Sequence, residues 1–177
     1  YMAPPTTIFR HIHKLPAGHW LKLKDGQLST KQYWDVPVSE PQDRLNGRDV
    51  DDLCRSIRST LEEAVSSHLV SDVPFGALLS GGIDSSAVVG LMAHQMNQPV
   101  KTFTIGFSSA SPGVDERDYA RQVAQLFQTE HHEMVLEPGS LDQLLKIVWY
   151  MDDPIADPAL LCTYAVTQLA SQHVKMC

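Results

Sequence analysis

Three observations predict an α/β protein: a parallel sheet with helices on both faces, preceded by a short β-ribbon. From Val50 onward, short apolar or β-branched runs alternate with longer stretches whose apolar residues recur every three or four positions. The run Phe75-Gly76-Ala77-Leu78-Leu79 has no polar alternation, which is the pattern of a strand buried on both faces. Strands and helices follow one another singly, so the strands are expected to lie parallel and to be joined by right-handed crossovers.

Residues 1–40 read differently and are expected to form a β-ribbon and linker. Leu15-Pro16-Ala17-Gly18 leads into the alternating stretch His19-Trp20-Leu21-Lys22-Leu23. Asp25-Gly26 then makes a two-residue hairpin turn, and Tyr33-Trp34 closes the unit before Pro37 and Pro41. A lone two-stranded ribbon is marginal in water, so it is expected to pack on a partner domain.

Residues 41–177 form the second part. Leu53, Ile57, Leu61, Ala64, Val65 and Leu69 fall on one stripe of a helix of about five turns. After the buried strand, a helix from Ser85 to about Met96 turns Ala87, Val88, Leu91 and Met92 inward. Val100 to Phe107 is rich in β-formers. Asp115 to Phe127 reads as a helix with Tyr119, Val123 and Leu126 on one side. Glu133 to Leu136 is a third short strand, and Leu141 to Tyr150 a further helix. Pro154 and Pro158 bracket a loop, Leu160 to Gln172 is the last helix, and Val174 to Cys177 begins a fourth strand. Ending inside an apolar run, the sheet is expected to be incomplete and the chain to be a fragment.

Composition narrows the function classes. An apolar fraction of 43% and a charged fraction of 20% are ordinary for a globular protein. No apolar run is long enough to span a bilayer, so no membrane partner is expected and a cytoplasmic location is. A net charge of −7 gives no electrostatic support to a nucleic-acid partner. Cys54, Cys162 and Cys177 are too scattered for a disulfide framework or a Cys-x-x-Cys metal site. Oligomeric state is not readable from these features, though an exposed sheet edge favours self-association.

The chemistry is concentrated in Ser80-Gly81-Gly82-Ile83-Asp84-Ser85-Ser86, between the buried strand and the helix after it. Ligands of open α/β sheets bind at that carboxyl edge. Paired glycines let the backbone turn with positive φ, and the N–H groups and dipole of the following helix attract an anion. Ser80, Ser85 and Ser86 add hydroxyl donors. Asp84 would repel a phosphate unless a cation lay between them, so it is assigned to Mg²⁺. A bare Gly-Gly-x-Asp-Ser could equally be a turn with a helix cap, but the flanking apolar strand and helix favour the ligand loop. It has no Gly-Lys-Ser/Thr and is not Gly-x-Gly-x-x-Gly, so neither of the commoner nucleotide loops applies.

The run Asp72-Val73-Pro74-Phe75-Gly76-Ala77-Leu78-Leu79 entering this loop resembles the glutamine-dependent asparagine synthetase family, whose synthetase domain is of the PP-loop ATP pyrophosphatase type (adenine nucleotide alpha hydrolase-like). Thr102-Phe103-Thr104-Ile105-Gly106-Phe107, Asp115-Glu116-Arg117-Asp118-Tyr119-Ala120 and Asp152-Asp153-Pro154-Ile155-Ala156-Asp157-Pro158 are similar to later segments of that family. Leu15 to His19 and Tyr33-Trp34-Asp35 resemble the junction between its glutaminase and synthetase domains. On that resemblance, residues 1–40 are the tail of a glutaminase domain and 41–177 the N-terminal part of the synthetase domain.

The resemblance implies a ligase that uses ATP to activate the aspartate side-chain carboxylate as an acyl-adenylate, releasing pyrophosphate. Ammonia from glutamine, delivered by a glutaminase domain, then attacks. Carried over, Ser80, Gly81, Gly82, Asp84, Ser85 and Ser86 hold the pyrophosphate end of ATP, with Asp84 on the metal. Leu79 and Ile105 flank the adenine and AMP portion by packing and backbone hydrogen bonds. Asp153 and Asp157 line the substrate, although Asp-Pro pairs also make ordinary turns. No catalytic residue is assigned. The chain begins Tyr1-Met2 without the family's N-terminal cysteine nucleophile, and it ends before a second acidic, glycine-containing loop, so these residues alone are expected to be inactive.

Other residue patterns have simpler readings. His131 and His132 alternate on a strand entry and face opposite sides, which argues against shared metal ligation with Glu133. His11, His13 and Lys14 read as a solvated strand face. Glu116 starts a helix whose dipole it complements. Cys54 and Cys162 fall on apolar helix faces and read as small core residues. The competing functions are a related PP-loop amidotransferase or cyclising synthetase acting on another carboxylate, a tRNA- or nucleotide-modifying ATP pyrophosphatase, and a non-catalytic nucleotide-binding remnant.

Overall fold

The computed structural model describes residues 2–38, 49–108, 115–136, 141–151, 155, 157 and 159–177, and they fall into two compact units. The first comprises residues 1–48 and 151–157, the second residues 49–150 and 158–177.

In the first unit, β1 (His19–Lys24) and β2 (Gln27–Gln32) pair antiparallel from His19↔Gln32 to Lys24↔Gln27. Asp25 and Gly26 join them with φ of 51° and 76°, the doubly left-handed turn that matches strand twist. Tyr33 N and Trp34 N both donate to Gly18 O, at 2.8 and 3.2 Å, so the two ends of the ribbon are tied together. Leu21, Leu23 and Leu28 share one exposed face. No strand runs through His11 to Lys14; His11 sits in a turn with φ 65°, and both His11 and His13 are exposed.

The second unit contains α1 (Val50–His68), β3 (Ala77–Leu78), α2 (Ile83–Gln95), β4 (Lys101–Phe107), α3 (Arg117–Leu126), β5 (Glu130–Leu136), α4 (Leu141–Trp149) and α5 (Ala159–Ala170). Asp49 caps α1 by accepting from Asp51 N. The sheet order is β3-β4-β5, all parallel, with Ala77 opposite Thr102 and Phe103 opposite His132. On the far side of β3, Lys175 N donates to Pro74 O at 2.9 Å and Gly76 N to Met176 O at 3.0 Å. The segment expected to begin a fourth strand is thus a single parallel bridge, Phe75↔Met176, and it leaves β3 flanked on both sides.

Strand alternation sorts the core into two layers. Ala77 and Leu79 pack with Val65, Val89, Met92, Val100, Ala120 and Ala124, so α1, α2 and α3 cover one face. Phe103 packs with Val166, Leu169, Ala170 and Val174 on the other, beneath α5. Helices therefore cover both faces, as predicted.

Three inward assignments change, and α3 gains an inner side that its pattern left open. Leu78, expected to be buried, is 38% exposed, because it points to the α5 face at the side where cover is thin. α2 begins at Ile83, and its inner residues are Val89, Gly90 and Met92; Ala87 and Val88 are exposed. α3 turns Ala120 and Ala124 to the sheet and leaves Tyr119 60% and Leu126 74% exposed. The reason is closeness: a Cβ on Gly81 would lie 2.6 Å from Ala120 N, so only small side chains fit between α3 and the loop. Cys54, expected in the core, is exposed on α1.

Candidate functional site

Leu79 ends the buried run of β3 and is 1% exposed. Its N–H donates to Phe103 O at 2.9 Å, and its carbonyl accepts from the buried Thr104 hydroxyl. The chain therefore leaves the sheet from a fixed point. Gly81 then adopts φ 81° and passes against α3, where Tyr119 Cβ would be 2.5 Å from any added Cβ. Gly82 occupies the N-cap position of α2 with extended backbone, and Ser86 N donates to Gly82 O at 3.0 Å as the first helical bond. The first turn of a helix leaves its N–H groups without intrahelical carbonyls, so those of Ile83, Asp84 and Ser85 are available to an anion.

The hydroxyls are organised within the loop. Ser80 Oγ and Ser85 Oγ lie 3.0 Å apart, Gly82 N donates to Ser80 Oγ at 3.3 Å, and Ser85 Oγ donates to Gly82 O at 3.2 Å. Asp84 is exposed on the first turn of α2, where the helix dipole favours its carboxylate. Ser86 Oγ is buried without a hydrogen-bond partner among the described residues.

Two clefts meet at this loop. One, of about 340 Å³, is lined by Leu79, Ser80, Ser85, Ile105, Glu116 and Cys162. The other, of about 630 Å³, is more apolar and is lined by Val65, Phe75, Leu78, Asp84, Ser85 and Val88. The structure thus brings Leu79, Ser80, Ser85 and Ile105 together, and sets Asp84 on the opposite flank of Ser85. Ser86 lines a separate groove between α1 and α2, and Gly81 is tucked against α3. Asp157 is exposed and belongs to the first unit; Asp153, with Asp152, Pro154 and Pro158, lies outside the described residues.

Glu116 and Cys162 were not singled out as cleft residues in the sequence. Glu116 occupies the N-cap position of α3 but makes no side-chain cap bond, and its carboxylate lines the cleft instead. The usable signal was its place just beyond the carboxyl end of β4, the same edge as the loop.

Both arginines at this edge are already engaged. Arg117 Nε donates to Asp115 Oδ1 and Oδ2 at 2.9 and 2.8 Å, and its side chain lies against Gly106. The Arg117 hydrogen bonds hold the Asp115 carboxyl down at about 2. Arg121 grips Glu133 with two bonds of 2.8 and 2.7 Å and reaches Asp118 at 2.9 Å. Burial pushes Glu133 up, but the Arg121 guanidinium outweighs it, and the net direction is down. The groups at this edge that could meet an anion are therefore the loop amides and hydroxyls, and Asp84 is the carboxylate beside them that could hold a cation. That donor set, hydroxyl and amide donors plus one hard carboxylate oxygen, suits a Mg²⁺-bound phosphate.

His131 and His132 occupy opposite faces of β5, as expected from strand alternation. His131 Nδ1 lies 2.8 Å from Thr102 Oγ1, and burial lowers its pKa against the opposing pull of Glu133. His132 stacks on Phe103 on the α5 side.

The sequence model of the asparagine synthase family matches residues 56–177. The glutamine-hydrolyzing asparagine synthetase 1 of Bacillus subtilis (strain 168) is 34% identical over 99% of this chain, and the chain spans 27% of that protein's length. Amidase chyE of Penicillium rubens is 32% identical over 85% of the chain and 24% of its own length. Among solved structures, NMN synthetase from Francisella tularensis overlays with a TM-score of 0.43 at 17% identity, covering 71% of this chain and 52% of that one. The chain thus spans about a quarter of the length of the curated relatives it matches.

Proposed function

The chain belongs to the asparagine synthase family, and from that premise we propose that it carries the ATP site of an amide-forming ligase. In this reading ATP activates the side-chain carboxylate of aspartate: a carboxylate oxygen attacks the α-phosphorus, pyrophosphate leaves, and an acyl-adenylate forms. Ammonia released from glutamine by a glutaminase domain, which residues 1–40 would adjoin, then displaces AMP at the acyl carbon.

The observation that carries the reading is the shape of the loop after β3. Gly81 is pressed against α3, so Ser80, Ser85 and the N-terminus of α2 are presented together beside Leu79 and Ile105. Ser80 and Ser85 donate hydroxyl hydrogen bonds to the departing pyrophosphate, and the N–H groups of the first turn of α2 orient it. Leu79 and Ile105 pack against the adenine, where apolar contact excludes water. Asp84 holds Mg²⁺, which supplies charge neutralisation at the phosphate oxygens. Gly82 and Ser86 complete the loop, Gly82 by allowing close backbone approach and Ser86 by its placement at the base of α2. Catalysis by this part of the protein is positioning and charge stabilisation.

Aspartate-dependent exchange of labelled pyrophosphate into ATP, with Mg²⁺, by the longest chain the gene encodes tests it. Exchange that requires aspartate and is lost in Asp84→Ala, with unchanged thermal unfolding, is the expected result. ATP binding without aspartate-dependent exchange would move the activity to another carboxylate, as in a related amidotransferase or cyclising synthetase. Absence of Mg-dependent ATP binding would leave only a nucleotide-free remnant and overturn the proposal.

A further inference from the structure

At the opposite end of the strands from the loop, Glu130, His132 and His173 bring one ligand atom each to within 4.8 Å of one another. Glu130 and His132 are two apart on β5 and so share a face. His173 comes from the turn that ends α5, where His173 N and Val174 N both donate to Ala170 O at 2.9 Å. The floor beneath both imidazoles is Phe103, fully buried, with ring centroids 5.4 Å from His132 and 5.8 Å from His173. Nothing in the proposed ligase chemistry uses these groups.

The geometry points to a divalent transition-metal site of the Zn²⁺ class at Glu130, His132 and His173. Two imidazole nitrogens and a carboxylate oxygen are a borderline donor set, which suits Zn²⁺ or Co²⁺ and not Mg²⁺ or Ca²⁺. His132 Nε2 and Glu130 Oε1 are 3.1 Å apart. Ligand atoms about 2.0–2.2 Å from a tetrahedral zinc are themselves roughly 3.3–3.5 Å apart, so this pair needs to open by only a few tenths of an ångström. His173 must close the remainder. Its ring stacks on His132 at 3.8 Å with 27° between planes, and imidazole lone pairs lie in the ring plane, so one ring must swing towards the other. Both rings are only half-buried, which leaves room for that rotation.

Lys101 is the competitor: its Nζ lies 3.8 Å from Glu130 Oε1, and a bound ion would displace it. Three protein ligands leave a fourth position for water. Because His173 and the strand residues belong to different elements, the ion would pin the end of α5 to β5.

Equilibrium dialysis of the tag-free protein against Zn²⁺ and Co²⁺ tests the site without reading ligase activity, so this inference and the proposed function fail separately. The expected result is one ion bound per chain, a rise in Tm with Zn²⁺, and a Co²⁺ spectrum lacking thiolate charge transfer. His132→Gln and His173→Gln should each lose that ion. Lys101→Ala should bind it more tightly, a gain that misfolding cannot mimic. No bound ion, an ion that survives both histidine substitutions, a thiolate band from Cys54, Cys162 or Cys177, or unchanged affinity in Lys101→Ala would overturn the assignment.

Discussion

A methyl group added at Gly81 would have to accept φ 81° and sit 2.5 Å from Tyr119 Cβ. At Gly82 the same addition meets only Ser80 Oγ, at 3.3 Å, on ordinary extended backbone. Gly81→Ala is therefore expected to cost about 1–3 kcal/mol from backbone strain alone, with Gly82→Ala costing clearly less. Urea unfolding of the two variants measures the difference, and equal midpoints would show that α3 does not shape the loop. The sequence predicts that a glycine here turns with positive φ. Which of the two does so depends on α3, whose approach is set far along the chain. Likewise Leu79 and Ile105 can be paired from their strand-end positions, whereas Glu116 lines the cleft from the N-cap position of α3, a placement that no periodicity encodes.

α3 shows the same limit for an entire element. Its extent is close to the sequence reading, but the pattern does not say which side is inward: Tyr119 and Leu126 are large, apolar and exposed, while the buried Ala120 and Ala124 are small. Hydrophobicity ranks the first pair as core; the close approach of the Gly81 turn leaves room at Ala120 only for a small side chain. Ala120 is fully buried, so Ala120→Leu is expected to cost about 1–3 kcal/mol by overpacking and to weaken nucleotide binding through the displaced loop. Tyr119→Leu, on the exposed side, should leave both unchanged. Denaturation and ATP titration of the pair decide it. β5 is the converse case: it starts at Glu130, three residues before the expected Glu133, because two adjacent histidines hide a strand whose pairing with β4 starts at Lys101↔Glu130.

Across the whole molecule, the acid response follows from where titrating groups lie. His131 has a folded-state pKa lowered from 6.5, chiefly by burial, so the unfolded chain takes up its proton first. Its contribution is complete above about 6.5 and is lost as pH falls through the folded value. Asp115, held at about 2 against 3.8, and Glu133, lowered from 4.5, act in the same direction in a second window. Their contribution is present above about 4.5 and is lost as pH falls towards 2. Urea midpoints measured against pH should therefore drop in two steps, and His131→Gln should remove the upper step only. The parallel strands and the two-sided cover were legible from the alternation of strand and helix patterns. The stacking of His132 with His173 was not, since it joins β5 to the end of α5 and depends on how closely α5 lies on the sheet.

The bonds that close the sheet also set the tempo of its assembly. Thr104 reaches Leu79 across 25 residues, and Thr102 reaches His131 across 29. None of the three parallel strands can pair through a hairpin, so each of these contacts waits on the closure of one long crossover. Such non-local pairing is expected to fold more slowly than a helical bundle built from local contacts. The loop after β3, fixed by β4 at Leu79 and pressed by α3 at Gly81, therefore takes its form only once both of those elements have arrived.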